Sequence, residues 1–185
     1  TKTPEVAIRE IERKIKDYDL QMISFSDTDF LSGVPHKLIG EFLSLYSERV
    51  GLPFKIQTGV GTLLHEETLI ILSKAMCCAI SVCVEKGSTR IQKDVLKKVI
   101  PVDIIKNAFD RCRKHQLRVT ANYMVGLPYE TEEDIHKTIS LNRVINPPSI
   151  AVTFFTPFIG TELYDTCIKE GFYKPFAQKE NVYEY

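Results

Sequence analysis

Four polar side chains stand at or near the ends of apolar runs, where a strand would hand over to a loop: Asp27, Gln57, Glu85 and Asn122. Asp27 belongs to Ser26-Asp27-Thr28-Asp29, two acids flanking one residue, which fits either an Asx-turn or contact with a cationic ligand group. Gln57 lies inside an apolar run and needs hydrogen-bond partners if buried, or an outer edge if not. Glu85 follows a run of apolar or small residues and reads as a carboxylate at the lip of a core, or as a solvated loop acid. Asn122 and Met124 share one strand face by the period of two, and Gly126-Leu127-Pro128 follows, a turn that lets backbone approach a ligand closely.

Other reactive residues form no comparable set. Cysteines 77, 78, 83, 112 and 167 are odd in number and lack zinc-ribbon spacing. Cys77-Cys78 reads as the inward-packing end of a helix, and Cys83 as core. His36, His65, His115 and His136 are scattered, and no nucleophile–base pair emerges, so no catalytic side chain is assigned. Gly59-Val60-Gly61 lacks the third glycine of a dinucleotide loop.

The elements that must position these residues alternate. Helical periodicity covers residues 3–17, 38–50, 65–76, 101–115, 130–145 and 161–170. Extended runs cover 20–25, 54–58, 79–84, 118–125 and 150–155. Thr131 with Asp134 three residues on reads as a helix N-terminus, Pro147-Pro148 as the stop after that helix, and Gly171 as a C-terminal cap. A helix followed by five strand–helix units implies an α/β fold with parallel strands. The pattern favours a partial parallel (β/α) TIM-like barrel over a doubly wound sheet, and in both architectures chemistry sits at the carboxyl ends of the strands.

Composition bounds the function. The 185 residues suit one domain, with 1–172 as the barrel and 173–185 as a C-terminal tail. Twenty-four Lys and Arg balance 24 Asp and Glu, so no net field draws nucleic acid or an anionic membrane. No apolar run reaches the roughly 18 to 20 residues of a membrane span, and residues 1–19 lack a signal-peptide core. The odd cysteine count fits a reducing cytoplasm.

Four segments, in order and over nearly the whole chain, resemble the radical S-adenosylmethionine (SAM) superfamily. Gly126-Leu127-Pro128-Tyr129-Glu130-Thr131-Glu132-Glu133-Asp134 resembles its G-L-P-x-E-T-x-x-D segment. Val82 to Ser88 is similar to the strand end G-x-E-S-G-S, Phe155 to Leu163 to P-x-P-G-T-E-L, and Phe25 to Phe30 to F-x-D-D-x-F. The subgroup it resembles is often fused to a cobalamin-binding domain.

The resemblance implies a partial (β/α)₆ barrel whose first strand, and the cluster loop C-x-x-x-C-x-x-C that follows it, would lie upstream of Thr1. No pair among the five cysteines replaces that loop, so the chain is expected to be a piece of a radical SAM iron–sulfur enzyme, trimmed at its start, with no metal ligand of its own and inactive alone. The parent would use a [4Fe–4S] cluster and SAM to generate a 5′-deoxyadenosyl radical for hydrogen abstraction or methyl transfer, with cobalamin on a further domain. Carried over by position, the SAM-binding residues would be Asp27, Gln57, Glu85, Asn122, Met124, Gly126 and Leu127, with Glu85 on the ribose hydroxyls. Lys86, where the family usually has Ser, would place a cation beside the ribose. A noncatalytic binding or scaffold barrel and an unrelated phosphate-handling TIM-like enzyme are the alternatives; the substrate itself is not legible. An exposed first-strand edge would favour self-association.

Overall fold

The computed structural model describes residues 2–174; the tail beyond 174 lies outside the described residues. Five parallel strands lie in one sheet in chain order: β1 (Ile23–Ser24), β2 (Phe54–Gly59), β3 (Cys77–Glu85), β4 (Val119–Val125) and β5 (Ser149–Phe154). Around them run α1 (Pro4–Asp17), α2 (His36–Arg49), α3 (Glu66–Lys74), α4 (Thr89–Asp94), α5 (Val102–Lys114), α6 (Glu132–Ile145) and α7 (Glu162–Lys169). The sheet curls into a half-barrel, the partial TIM-like architecture read from the sequence.

Period-two alternation sorts each central strand onto two faces. Phe54, Ile56 and Thr58 of β2, Ile80, Val82 and Val84 of β3, and Val119, Ala121 and Tyr123 of β4 are buried. This is the helix-covered face, and its core is one continuous cluster with Ile39, Leu43, Leu69, Leu72, Ile105 and Phe109 from the helices. Alternate residues face the concave side, and the register aligns them: Gln57 beside Ser81, Gly59 beside Cys83, Cys83 beside Asn122, and Met124 beside Thr153.

Local chemistry explains the helix ends. Thr3 caps α1 and Pro4 occupies its first turn. Thr131 and Asp134 close a reciprocal capping box on α6, and Asn146, left-handed at φ 42, ends it before the two prolines. Arg49 at the end of α2 grips both Glu5, at 2.8 Å, and Glu12, at 2.6 Å, on α1, fixing that helix pair.

Several elements differ from the sequence reading. The run 20–25 forms only two paired residues, because β1 has a neighbour on one side alone. Cys77 and Cys78 open β3 rather than close a helix: α3 ends at Lys74, and Met76 at φ 62 reverses the chain into the strand. A 3₁₀ turn at Val60–Leu64 and the short helix α4, capped by Ser88, were not anticipated.

Candidate functional site

The concave face carries Gln57 on β2, level with Ser81, then Asn122 on β4, level with Cys83, and Glu85 and Met124 nearer the carboxyl ends of β3 and β4. Glu85 is the centre of this group. Its backbone is left-handed, φ 66, which is uncommon for a residue with a side chain and re-aims it at the end of the strand, where the register with β4 slips. Burial pushes its carboxyl up, against the opposing pull of Cys83, Lys98 and Lys86. Cys83 is therefore not core. Half-buried on the concave face, it meets both Glu85 and Asn122, and burial followed by the Glu85 charge raises its thiol.

Gln57 is half-buried and donates to the Thr28 carbonyl at 3.3 Å. Of the two loop acids, Asp29 reaches the strand tip: its Oδ1 accepts from Thr58 Oγ1 at 2.7 Å, and its Oδ2 from the Gly59 amide at 3.2 Å. Asp27 is exposed and lines a separate apolar groove with Phe25, Phe30 and Phe42 between α1 and α2. Gly126 is exposed at φ 79, whereas Leu127 is buried.

Behind these tips lies a polar network whose long-range pairings carry no local sequence signal. Lys86 does not stand beside the mouth as a free cation; it is fully buried and paired with Glu130. The other oxygen of Glu130 accepts from the amides of Gly126, at 2.7 Å, and Leu127, at 3.3 Å, so one carboxylate holds the tips of β3 and β4 together. Ser88 donates to Asp134 Oδ1 at 2.5 Å, and Arg90 pairs with Asp134 Oδ2. Burial alone would push the Asp134 carboxyl up, but hydrogen bonds from Ser88, Arg90 and Thr131 outweigh it and hold the group well below the usual carboxylate range. Gly87 threads between: a Cβ there would lie 2.4 Å from the Lys137 carbonyl, so only glycine lets β3 pass α6 this closely.

A half-dry carboxylate flanked by an amide on a concave strand-end surface suits a ligand with neighbouring hydroxyls. A cluster is another matter. Cys77 and Cys78 lie at the amino end of β3, away from the mouth, while Cys112 and Cys167 are buried on α5 and α7. Among the described residues no three His, Cys, Asp or Glu side chains come together to hold a metal ion, so the residues present do not fit an iron–sulfur cluster.

The fold defines the class: an α/β half-barrel of five parallel strands with polar side chains on its concave face. The radical SAM superfamily model matches residues 1–141, and the chain belongs to that superfamily. It is 24% identical over 167 residues to an uncharacterized methyltransferase of Pyrococcus horikoshii, covering 89% of this chain and 35% of that protein. It is 21% identical over 183 residues to cytidylyl-2-hydroxyethylphosphonate methyltransferase of Streptomyces wedmorensis, covering 95% and 33%. The chain thus spans about a third of the length of these curated relatives. Among solved structures it is similar in fold to the radical SAM methyltransferase TsrM from Kitasatospora setae, which carries cobalamin and a [4Fe–4S] cluster, with TM-score 0.68 and 13% identity over 82% of this chain and 28% of that one.

Proposed function

We propose that this chain forms the SAM-binding half-barrel of a radical SAM iron–sulfur enzyme. The observation that carries the reading is Glu85, half-buried at the carboxyl end of β3 with its carboxyl raised by burial, beside Cys83, which also meets Asn122 on the concave face.

In this reading the Glu85 carboxylate accepts from both ribose hydroxyls, and its position in a half-dry mouth makes those bonds strong. Asn122 and Gln57 supply donors and acceptors along the ribose and amino-acid portion. Met124, the Gly126 backbone and the edge of Leu127 form the surface toward the adenine. Asp27, exposed beside α1, is the weakest member of the set. In the whole enzyme a [4Fe–4S] cluster, held by thiolates of other residues, would supply the electron for reductive cleavage of SAM, the chemistry that would serve hydrogen abstraction or methyl transfer. The three thiolates for that cluster would have to come from outside the described residues, so we infer that the chain by itself binds SAM without performing the redox step. Similarity to TsrM, which holds cobalamin, supports a cobalamin-binding partner domain in the whole protein.

Ligand-observed NMR with SAM tests the reading at the weak affinities expected without a cluster. Wild type should show saturation transfer to the ribose and adenine protons, and Glu85→Ala should weaken binding by roughly tenfold or more, the effect of losing charge-assisted hydrogen bonds. No SAM binding at all would favour a scaffold barrel. Binding of simple phosphate esters with no SAM binding would favour a superfamily barrel turned to phosphate handling.

A further inference from the structure

A second cleft, of about 570 Å³, opens beside the mouth and shares Gly59 with it. Its walls come from three connections: the loop from β1 to α2, the 3₁₀ turn after β2, and the segment before α5. They present Asp29, His36, His65 and Lys98.

Three of these four are nitrogen donors brought together from distant parts of the chain. The His36 and His65 rings lie 5.0 Å apart between centroids, edge to face. His36 Nδ1 is 3.1 Å from the Thr68 hydroxyl, which orients the ring and leaves its Nε2 free for the cleft. Lys98 is not on a wandering loop. Gln92, itself buried, donates to the Lys86 carbonyl at 2.6 Å, accepts from the Ile100 amide at 2.8 Å, and offers its backbone carbonyl to the Lys98 amide at 2.9 Å. The Lys98 backbone is thereby pinned to the tip of β3, and among the described residues no carboxylate pairs with its ammonium.

Lys98 also feels the Glu85 carboxyl across the border with the mouth, while Asp29 is the acid on the cleft wall itself, and its oxygens are already committed. They accept from Thr58 Oγ1 at 2.7 Å, from the Ser32 amide at 3.2 Å and from the Gly59 amide at 3.2 Å. The cleft also has room: a Cβ built on Gly33 or Gly61 meets nothing within 4 Å. An ammonium and two imidazoles on different walls are separate point donors. They suit the several oxygens of a tetrahedral oxyanion, whereas a planar carboxylate is matched by the single fork of an arginine.

We propose that this cleft is an oxyanion subsite that takes a phosphate-monoester or phosphonate group of the substrate on Lys98, His36 and His65, next to the SAM mouth. Its role toward substrate rests on the SAM-binding reading above; its ability to bind the oxyanion does not.

The test titrates the chain with inorganic phosphate and, separately, with glycerol 3-phosphate, following the His36 and His65 imidazole resonances by NMR. Both probes should shift both rings with roughly millimolar affinity and compete with each other. Lys98→Gln should weaken both by about tenfold, as the loss of one charge-assisted contact implies. Gly61→Leu, which fills the cleft without touching a charge, should do the same. SAM binding of Gly61→Leu, measured on the same samples, should stay within about twofold of wild type. Absent imidazole shifts, or phosphate affinity unchanged in both variants, would overturn the proposal. So would binding of inorganic phosphate with exclusion of the ester, which describes a closed ion site. Retained phosphate binding with no SAM binding would count against the half-barrel reading and leave the oxyanion cleft standing.

Discussion

The middle of the sheet and its two edges are built on different terms. At the carboxyl ends of β3 and β4, Lys86, Ser88 and Asp134 are buried, Glu130 is nearly so, and every one of them has a partner. At the edges, β1 pairs through only two residues, and β5 leaves Ile150 and Val152 each 54% exposed and Phe154 84% exposed. The corner that carries Glu85 is thus self-sufficient within this chain, whereas both edges present surface that other segments or chains would cover.

That contrast can be broken at its strongest point first. Lys86→Met leaves the Glu130 carboxylate buried without its cation, and should cost about 3–5 kcal/mol by denaturant unfolding. Lys86→Met combined with Glu130→Gln should recover much of that loss, because it removes both charges. A single-variant loss below about 1 kcal/mol would mean that water reaches the pair. Next in size, Gly87→Ala drives a methyl into the α6 backbone and should cost about 1–3 kcal/mol, read as a lower thermal midpoint.

Glu85 sharpens the comparison because its effects on stability and binding should differ in sign. Burial raises its folded-state pKa, so ionisation at neutral pH opposes folding. The stability tied to its neutral form is present below the ordinary glutamate pKa and lost as pH rises through the raised value. Glu85→Gln stays neutral and should be as stable as wild type or more so at pH 7, while SAM affinity falls roughly tenfold. SAM affinity of the wild type should likewise fall on acidification, starting at a higher pH than for an ordinary glutamate. Asp134 has the opposite sign. Its depressed pKa gives stability that is present above the unfolded-state value, near 4, and lost as pH falls through the folded value. Asp134→Asn should flatten the acid limb of the stability curve below about pH 4. The smallest effect lies at the edge. Self-association should be detectable by light scattering at high concentration, and Val152→Lys should reduce it with little change in stability.

Much of this was legible in the sequence, for reasons that stay local. Helical and strand periods gave the alternation, and the three-residue spacing of Thr131 and Asp134 marked the start of α6. The period of two correctly paired Asn122 with Met124 on one face. What was hidden depends on distant partners. Nothing near Lys86 announces that Glu130, 44 residues on, will neutralise it in the interior. His36 and His65 read as scattered because only the fold brings their rings together. Cys77-Cys78 sits in a run of small and apolar residues that fits either a helix end or a buried strand, and the left-handed Met76 decided between them. Asp27 and Asp29 are equivalent in sequence; the reach of Asp29 to Thr58 and Gly59 separates them.

The central claim is that SAM sits against Glu85 and Asn122 on the concave face. Isotope-edited NMR on chain labelled at Glu and Asn measures this directly through cross-relaxation between SAM ribose protons and side-chain protons. The expected result is contact from the ribose to Glu85 and Asn122, with none to the α1–α2 groove that Asp27 lines. Ribose contacts confined to that groove, or to surfaces away from the strand tips, would contradict it.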